Sequence, residues 1–176
     1  MHSRLIGTLF LAGGLMFAQT AAKTHHRAPA TADHKFASEA AIGGMAEVEL
    51  GRLAASKASN ADVKNFGQRM VDDHSKANDE LKSTASKESI KLPTAIDAKH
   101  QAVIDRMSKL SGAEFDRAYV KEMVKDHEMD VKEFERESSS GSNAAIKGFA
   151  SKTLPTLQEH LRMIKDIDSK VNKGTE

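Results

Sequence analysis

One five-residue phrase occurs twice in this chain and narrows what it can fold into. Met70-Val71-Asp72-Asp73-His74 returns as Met123-Val124-Lys125-Asp126-His127. Each copy sits near the middle of a long stretch with helical hydrophobic spacing. The flanks agree, with Ala61-Asp62-Val63 leading into the first copy and Ala113-Glu114-Phe115 into the second. Two like helices with an acid–His pair at the same depth predict a duplicated helical hairpin. Inward histidines on facing helices are also the raw material of a metal site in a helical core.

Reading outward from that phrase, no stretch alternates with period two, so an all-α chain is expected. A first helix over 33–57 places Phe36, Ala40, Gly44, Glu47, Val48, Gly51 and Ala55 on one face, a stripe small enough for a neighbour to come close. A second, from about Asn60 to Ser86 with Ser59 or Asn60 as N-cap, turns Val63, Phe66, Met70, His74, Ala77 and Leu81 inward. The short join makes these two antiparallel neighbours. Pro93-Thr94 is expected to open a third helix, with Ile96, His100, Val103, Met107 and Leu110 on its stripe. Ser111-Gly112-Ala113-Glu114 has capping-box spacing and starts a fourth, facing Phe115, Tyr119, Met123, His127, Val131 and Phe134 inward. After a polar break at 138–143, a short helix over 144–151 precedes a final one opened by Pro155, with Leu157, His160, Leu161, Ile164, Ile167 and Val171 as its apolar face. The expected architecture is an antiparallel four-helix bundle built from a duplicated hairpin, with an additional C-terminal helix.

The N-terminus reads differently. Met1 to Arg4 form a short basic segment, Leu5 to Ala18 an apolar one, and Gln19-Thr20-Ala21-Ala22 a small-residue cleavage site, so residues 1–22 read as a signal peptide. The apolar run, about 14 residues, is short for a bilayer span, and no stable membrane anchor is expected after cleavage. Residues 23–32 read as a flexible lead-in, and 33–172 as the folded domain. A periplasmic or secreted location follows. Residues 1–22 carry one of the 26 basic side chains and none of the 25 acidic ones, leaving 25 of each. That balance argues against nucleic acid as a partner. With no cysteine anywhere, disulfides, thiolate metal sites and cysteine nucleophiles are excluded.

Several phrases resemble the DUF4142 family of exported bacterial proteins: Glu47-Val48-Glu49-Leu50-Gly51, both copies of the Met-Val-x-Asp-His phrase, Phe115-Asp116-Arg117-Ala118-Tyr119, and Thr153-Leu154-Pro155-Thr156-Leu157-Gln158-Glu159-His160. They extend over residues 36–167. The resemblance implies a ferritin-like helical bundle and a place in the cell envelope; it implies little chemistry.

The residues themselves offer one sharp chemical hypothesis. His74, His127 and His160 fall on apolar stripes and Glu47 on that of the first helix, so three imidazoles and a carboxylate meeting at one level could hold Zn, Fe, Cu or Ni. A di-iron site of the Glu-x-x-His type is rejected, because Val71, Val124 and Leu157 stand three residues before these histidines. The acids are adjacent instead (Asp73, Asp126 and Glu159), and neighbours on a helix point about 100° apart. The competing reading makes each histidine a core residue satisfied by nearby carboxylates or carbonyls, with His100 structural or solvent-facing. After cleavage, a free amine at Lys23 with Thr24 and His25, and His26 nearby, could form a square-planar Cu(II) or Ni(II) site, weighed against a polar tail. No catalytic residues are indicated. The function expected is that of a non-enzymatic envelope accessory or interaction protein with an unidentified envelope partner; the alternative is a metal-binding or metal-dependent redox protein.

Overall fold

The computed structural model describes residues 30–172. The expected leader, most of the lead-in and the Lys23–His26 amine site lie outside the described residues. Five helices follow in order: α1 (Ala30–Lys57), α2 (Ala61–Lys87), α3 (Ala98–Ser108), α4 (Gly112–Ser140) and α5 (Ala144–Val171). No strand occurs among the described residues, and none of these helices is long and apolar enough to cross a membrane.

The long helices form two hairpins, α1 on α2 and α4 on α5, which meet through α2 against α5 and α1 against α4. The joins are three residues each, Ala58-Ser59-Asn60 and Gly141-Ser142-Asn143, too short for anything but antiparallel neighbours. Asn60 and Asn143 cap the helices that follow, each accepting from the amides two and three residues on. The small stripe on α1 does what its volumes predict. A Cβ on Gly51 would stand 2.7 Å from the Gly67 carbonyl, and one on Gly67 2.6 Å from the Ala54 Cβ, so α1 and α2 touch backbone to backbone.

The two hairpins correspond to each other, but in another register from the one the repeated phrase suggests. A shift of 83 positions carries Asp33 to Asp116, Ser59-Asn60-Ala61 to Ser142-Asn143-Ala144, Glu47 to Asp130, Phe66 to Phe149 and Leu81 to Ile164. The bonding repeats as well. Asp116 accepts from the Ser59 and Asn60 amides, and Asp33 from those of Ser142 and Asn143, so each hairpin's first helix ties down the other hairpin's turn. The Met-Val-x-Asp-His phrase instead pairs α2 with α4, the second helix of one hairpin with the first of the other. Its recurrence reflects packing, because Met and His four apart share one helix face.

Three helix expectations change. The third helix begins at Ala98 rather than Pro93, because Asp97 takes the cap and accepts from the His100 amide. Ser111 makes no side-chain cap bond; its backbone is fully extended and Gly112 turns at φ +59° to enter α4, so the capping box is not formed. The expected short helix and separate C-terminal helix are one, α5, with Pro155 inside it. Pro155 and Ser151 are both exposed, so the Ser151 carbonyl that loses its amide partner lies on the watery face, which makes the proline tolerable. The four long helices are therefore α1, α2, α4 and α5. No further C-terminal helix is added among the described residues; the extra element is the short α3.

Buried apolar side chains divide into two clusters. One gathers Leu50, Val63, Phe66, Met70, Phe115, Tyr119, Met123 and Ile164; the other gathers Phe36, Leu81, Phe134, Ile146, Phe149 and Leu157. Along every long helix a buried polar residue stands between its contributions to the two: Glu47 on α1, His74 on α2, His127 on α4 and His160 on α5. The 83-residue shift exchanges the clusters, as a two-fold relation through that polar layer would.

Candidate metal centre

All four sequence-predicted site residues are interior: His127 and His160 are 0% exposed, Glu47 3% and His74 5%. The imidazoles converge. Ring centroids lie 6.0 Å apart for His74 and His127, 5.4 Å for His74 and His160, and 5.5 Å for His127 and His160. One nitrogen from each ring lies within 4.8 Å of one from both others. The Phe66 ring stands edge-on to His127 and His160 and closes the layer toward the first apolar cluster.

Each ring has one nitrogen engaged and the other without a hydrogen bond. His74 Nδ1 is 2.9 Å from Glu47 Oε2, His127 Nδ1 3.0 Å from the Met123 carbonyl, and His160 Nε2 2.8 Å from Asp73 Oδ2. His127 Nδ1 and His160 Nε2 donate, to a carbonyl and to a charged carboxylate, so their lone pairs fall on His127 Nε2 and His160 Nδ1; the His74 lone pair falls on Nε2 when Glu47 is ionised. These same three atoms are buried without a hydrogen-bond partner among the described residues. Leaving a buried polar atom unpaired costs about 1–3 kcal/mol, so three in one place call for an explanation. A carboxylate or carbonyl that orients one imidazole nitrogen so the other can bind is how metal-ligating histidines are held.

Electrostatics keep those lone pairs available. Burial lowers His74 to about 4 and His160 to about 4. Burial, then the neighbouring His74 and His160, lowers His127 to about 3. All three are neutral at pH 7. Burial pushes Asp73 up, but bonds from His160 and Arg69 outweigh it and hold the carboxyl below its ordinary value, so it stays a charged acceptor.

Glu47 stands at the edge of this group. Its Oε2 faces His74, while Oε1 has no hydrogen-bond partner and lies 3.6 Å from His127 Nε2. Its carboxylate gathers with Asp126 and Asp130 of α4, one oxygen of each lying within 4.8 Å of the others. Burial, then the Asp126 charge, holds Glu47 well above the usual carboxylate range. Burial, then Glu47, does the same to Asp130, and burial raises Asp126.

Of the adjacent acids flagged in the sequence, Asp73 reaches across to another helix's histidine, Asp126 joins the carboxylates, and Glu159 pairs with Arg162 at the surface. His100 bonds Asp97 and lines a cleft instead of entering the core. The Tyr119 hydroxyl is buried and finds no hydrogen-bond partner among the described residues. Sequence reasoning missed Asp130 and the orienting role of Asp73. The 83-residue repeat would have exposed Asp130 as the counterpart of Glu47. The same relation shows where the hairpins diverge: Asp126 and His127 correspond to Gly43 and Gly44, His74 to Leu157, and His160 to Ala77. Two glycines opposite two ligand-type side chains leave the layer open on one side. There a cleft of about 330 Å³ runs in past Gly43 and Asp97 to His74, Glu47, Asp126 and Asp130.

No curated protein matches the chain. A solved structure described as the crystal structure of a DUF305 fragment from Deinococcus radiodurans is similar with a TM-score of 0.69, covering 79% of this chain and 96% of that one. At 10% identity the likeness concerns the fold alone. A family model described as Domain of unknown function (DUF4142) matches residues 18–167, most of the sequence, and the chain belongs to that family.

Proposed function

We propose that this protein binds one first-row transition-metal ion through His74 Nε2, His127 Nε2 and His160 Nδ1. The observation that carries the reading is that these three atoms are buried without a hydrogen-bond partner, in rings of which one nitrogen each lies within 4.8 Å of the others. Tetrahedral ligands at 2.0–2.1 Å from zinc stand about 3.4 Å apart, so the rings would draw in slightly around an ion. Neutral imidazoles suit Zn, Cu, Ni or Fe in preference to Mg or Ca. A purely structural histidine network would pair its nitrogens, and this one leaves three unpaired, which favours metal over the non-enzymatic interaction reading. Three protein ligands leave a coordination position open.

The reading extends to context. Two antiparallel hairpins closing on a polar layer support a ferritin-like four-helix bundle in which α3 belongs to the crossover. Residues 1–22 support export to the periplasm or medium, which N-terminal sequencing of the recovered protein tests. For the metal, protein purified without a His tag or chelating resin is stripped and titrated with Co(II), Zn(II), Cu(II), Ni(II) and Fe(II). One equivalent bound with a rise in melting temperature is expected. No uptake and no rise with any of the five would overturn the proposal.

A further inference from the structure

Beside the imidazoles stands a second donor set of different chemistry. Glu47, Asp126 and Asp130 present three carboxylate oxygens within 4.8 Å of one another, at the inner end of the cleft that opens past Gly43. Like charges so close repel, so the group either keeps protons, as the raised Glu47 and Asp130 do, or gathers a cation. Lys99 and His100 of α3 line the same cleft and act on Asp126. Glu47 is marked separately, being buried with Oε1 lacking a hydrogen-bond partner and lying 3.6 Å from His127 Nε2. The 83-position correspondence pairs Glu47 with Asp130, so these two carboxyl groups come one from each hairpin.

We infer that Glu47, Asp126 and Asp130 bind a second, harder divalent cation such as Mn(II) or Fe(II), next to the imidazole-held ion, with Glu47 shared between the two. This rests on the reading of the imidazoles as a metal site. Oxygen-only donors select hard cations, whereas three imidazoles select borderline ones, so the pair is mixed by its ligands alone. A carboxylate spanning two ions holds them about 3.5–4 Å apart. The cleft is the path by which the second ion enters, since the other sides of the layer are closed by the apolar clusters and Phe66.

The test uses the full chain. Stripped protein is given one equivalent of Zn(II), zinc occupancy is measured after gel filtration, and Mn(II) is then titrated while the free-ion paramagnetic resonance signal is followed. One further Mn(II) per chain is expected to leave the free pool. The near-isosteric variants Asp126→Asn and Asp130→Asn, tested separately, are expected to weaken Mn(II) binding at least tenfold and to keep zinc occupancy and the helical melt. Zinc uptake without manganese uptake overturns this inference alone and shows the carboxylates held by shared protons. Manganese binding that survives both variants also overturns it. No zinc uptake at all sinks the earlier reading instead.

Discussion

Replacing His127 by Leu separates a metal site from a structural network, because the two predict opposite signs for the stability of the stripped protein. His127 is 0% exposed, and its Nε2 has no hydrogen-bond partner. That orphaned atom costs the fold about 1–3 kcal/mol. Its other nitrogen bonds the Met123 carbonyl, which already serves the helix as acceptor for the His127 amide, so losing that bond forfeits about 1 kcal/mol and orphans nothing. Leucine is apolar and of comparable size, and it restores contact with Phe66. The stripped variant should therefore match wild type or exceed it by up to about 2 kcal/mol. A domain of this length shifts by about 2–4 °C per kcal/mol, so melting in chelator should rise by anything up to about 8 °C. In excess metal the order reverses. An ion present at a thousand times its dissociation constant stabilises wild type by about 4 kcal/mol, and the variant, lacking a ligand, gains little. Calorimetric or circular-dichroism melts with and without Zn(II) measure both arms. A stripped variant more than about 2 kcal/mol less stable than wild type would show that His127 is a satisfied core residue and would refute the reasoning.

Because burial holds His74 and His160 near 4 and His127 near 3, their imidazole proton signals should stay unshifted from pH 8 to 6 in stripped protein, and a midpoint near 6.5 for any of them would contradict the described burial. The depressed values contribute stability that is present above 6.5 and lost as pH falls toward 4, while the raised Glu47 and Asp130 act oppositely, so Glu47→Gln should steepen the acid loss seen in denaturant titrations between pH 6.5 and 4.5. Gly67→Ala drives a methyl against the Ala54 Cβ and the Gly51 carbonyl at 2.6 and 2.8 Å, and the parting of α1 from α2 should cost about 1–3 kcal/mol in chemical denaturation; a neutral result would mean that the hairpin is looser than described.

Periodicity alone made the chain helical, placed Glu47, His74, His127 and His160 on inward stripes, and marked α1 as a close-packing helix, because side-chain direction in a helix follows from residue spacing. The same rule explains the misreadings. Pro155 looks like a helix start by local chemistry, and only its place on an exposed face lets α5 run through it. The repeated Met-Val-x-Asp-His phrase reports a shared core position, whereas the quieter Asp33/Asp116 and Ser-Asn-Ala correspondence follows the hairpins. What the tertiary structure decided is which atoms meet. That Asp73 bonds the histidine of another helix, that Glu47 turns toward Asp126 and Asp130, and that three imidazoles converge with a nitrogen of each left without a hydrogen bond all depend on helix register and rotation. Those are set by the summed packing of Gly51 on Gly67 and of the two apolar clusters, and no local stretch of sequence carries that sum.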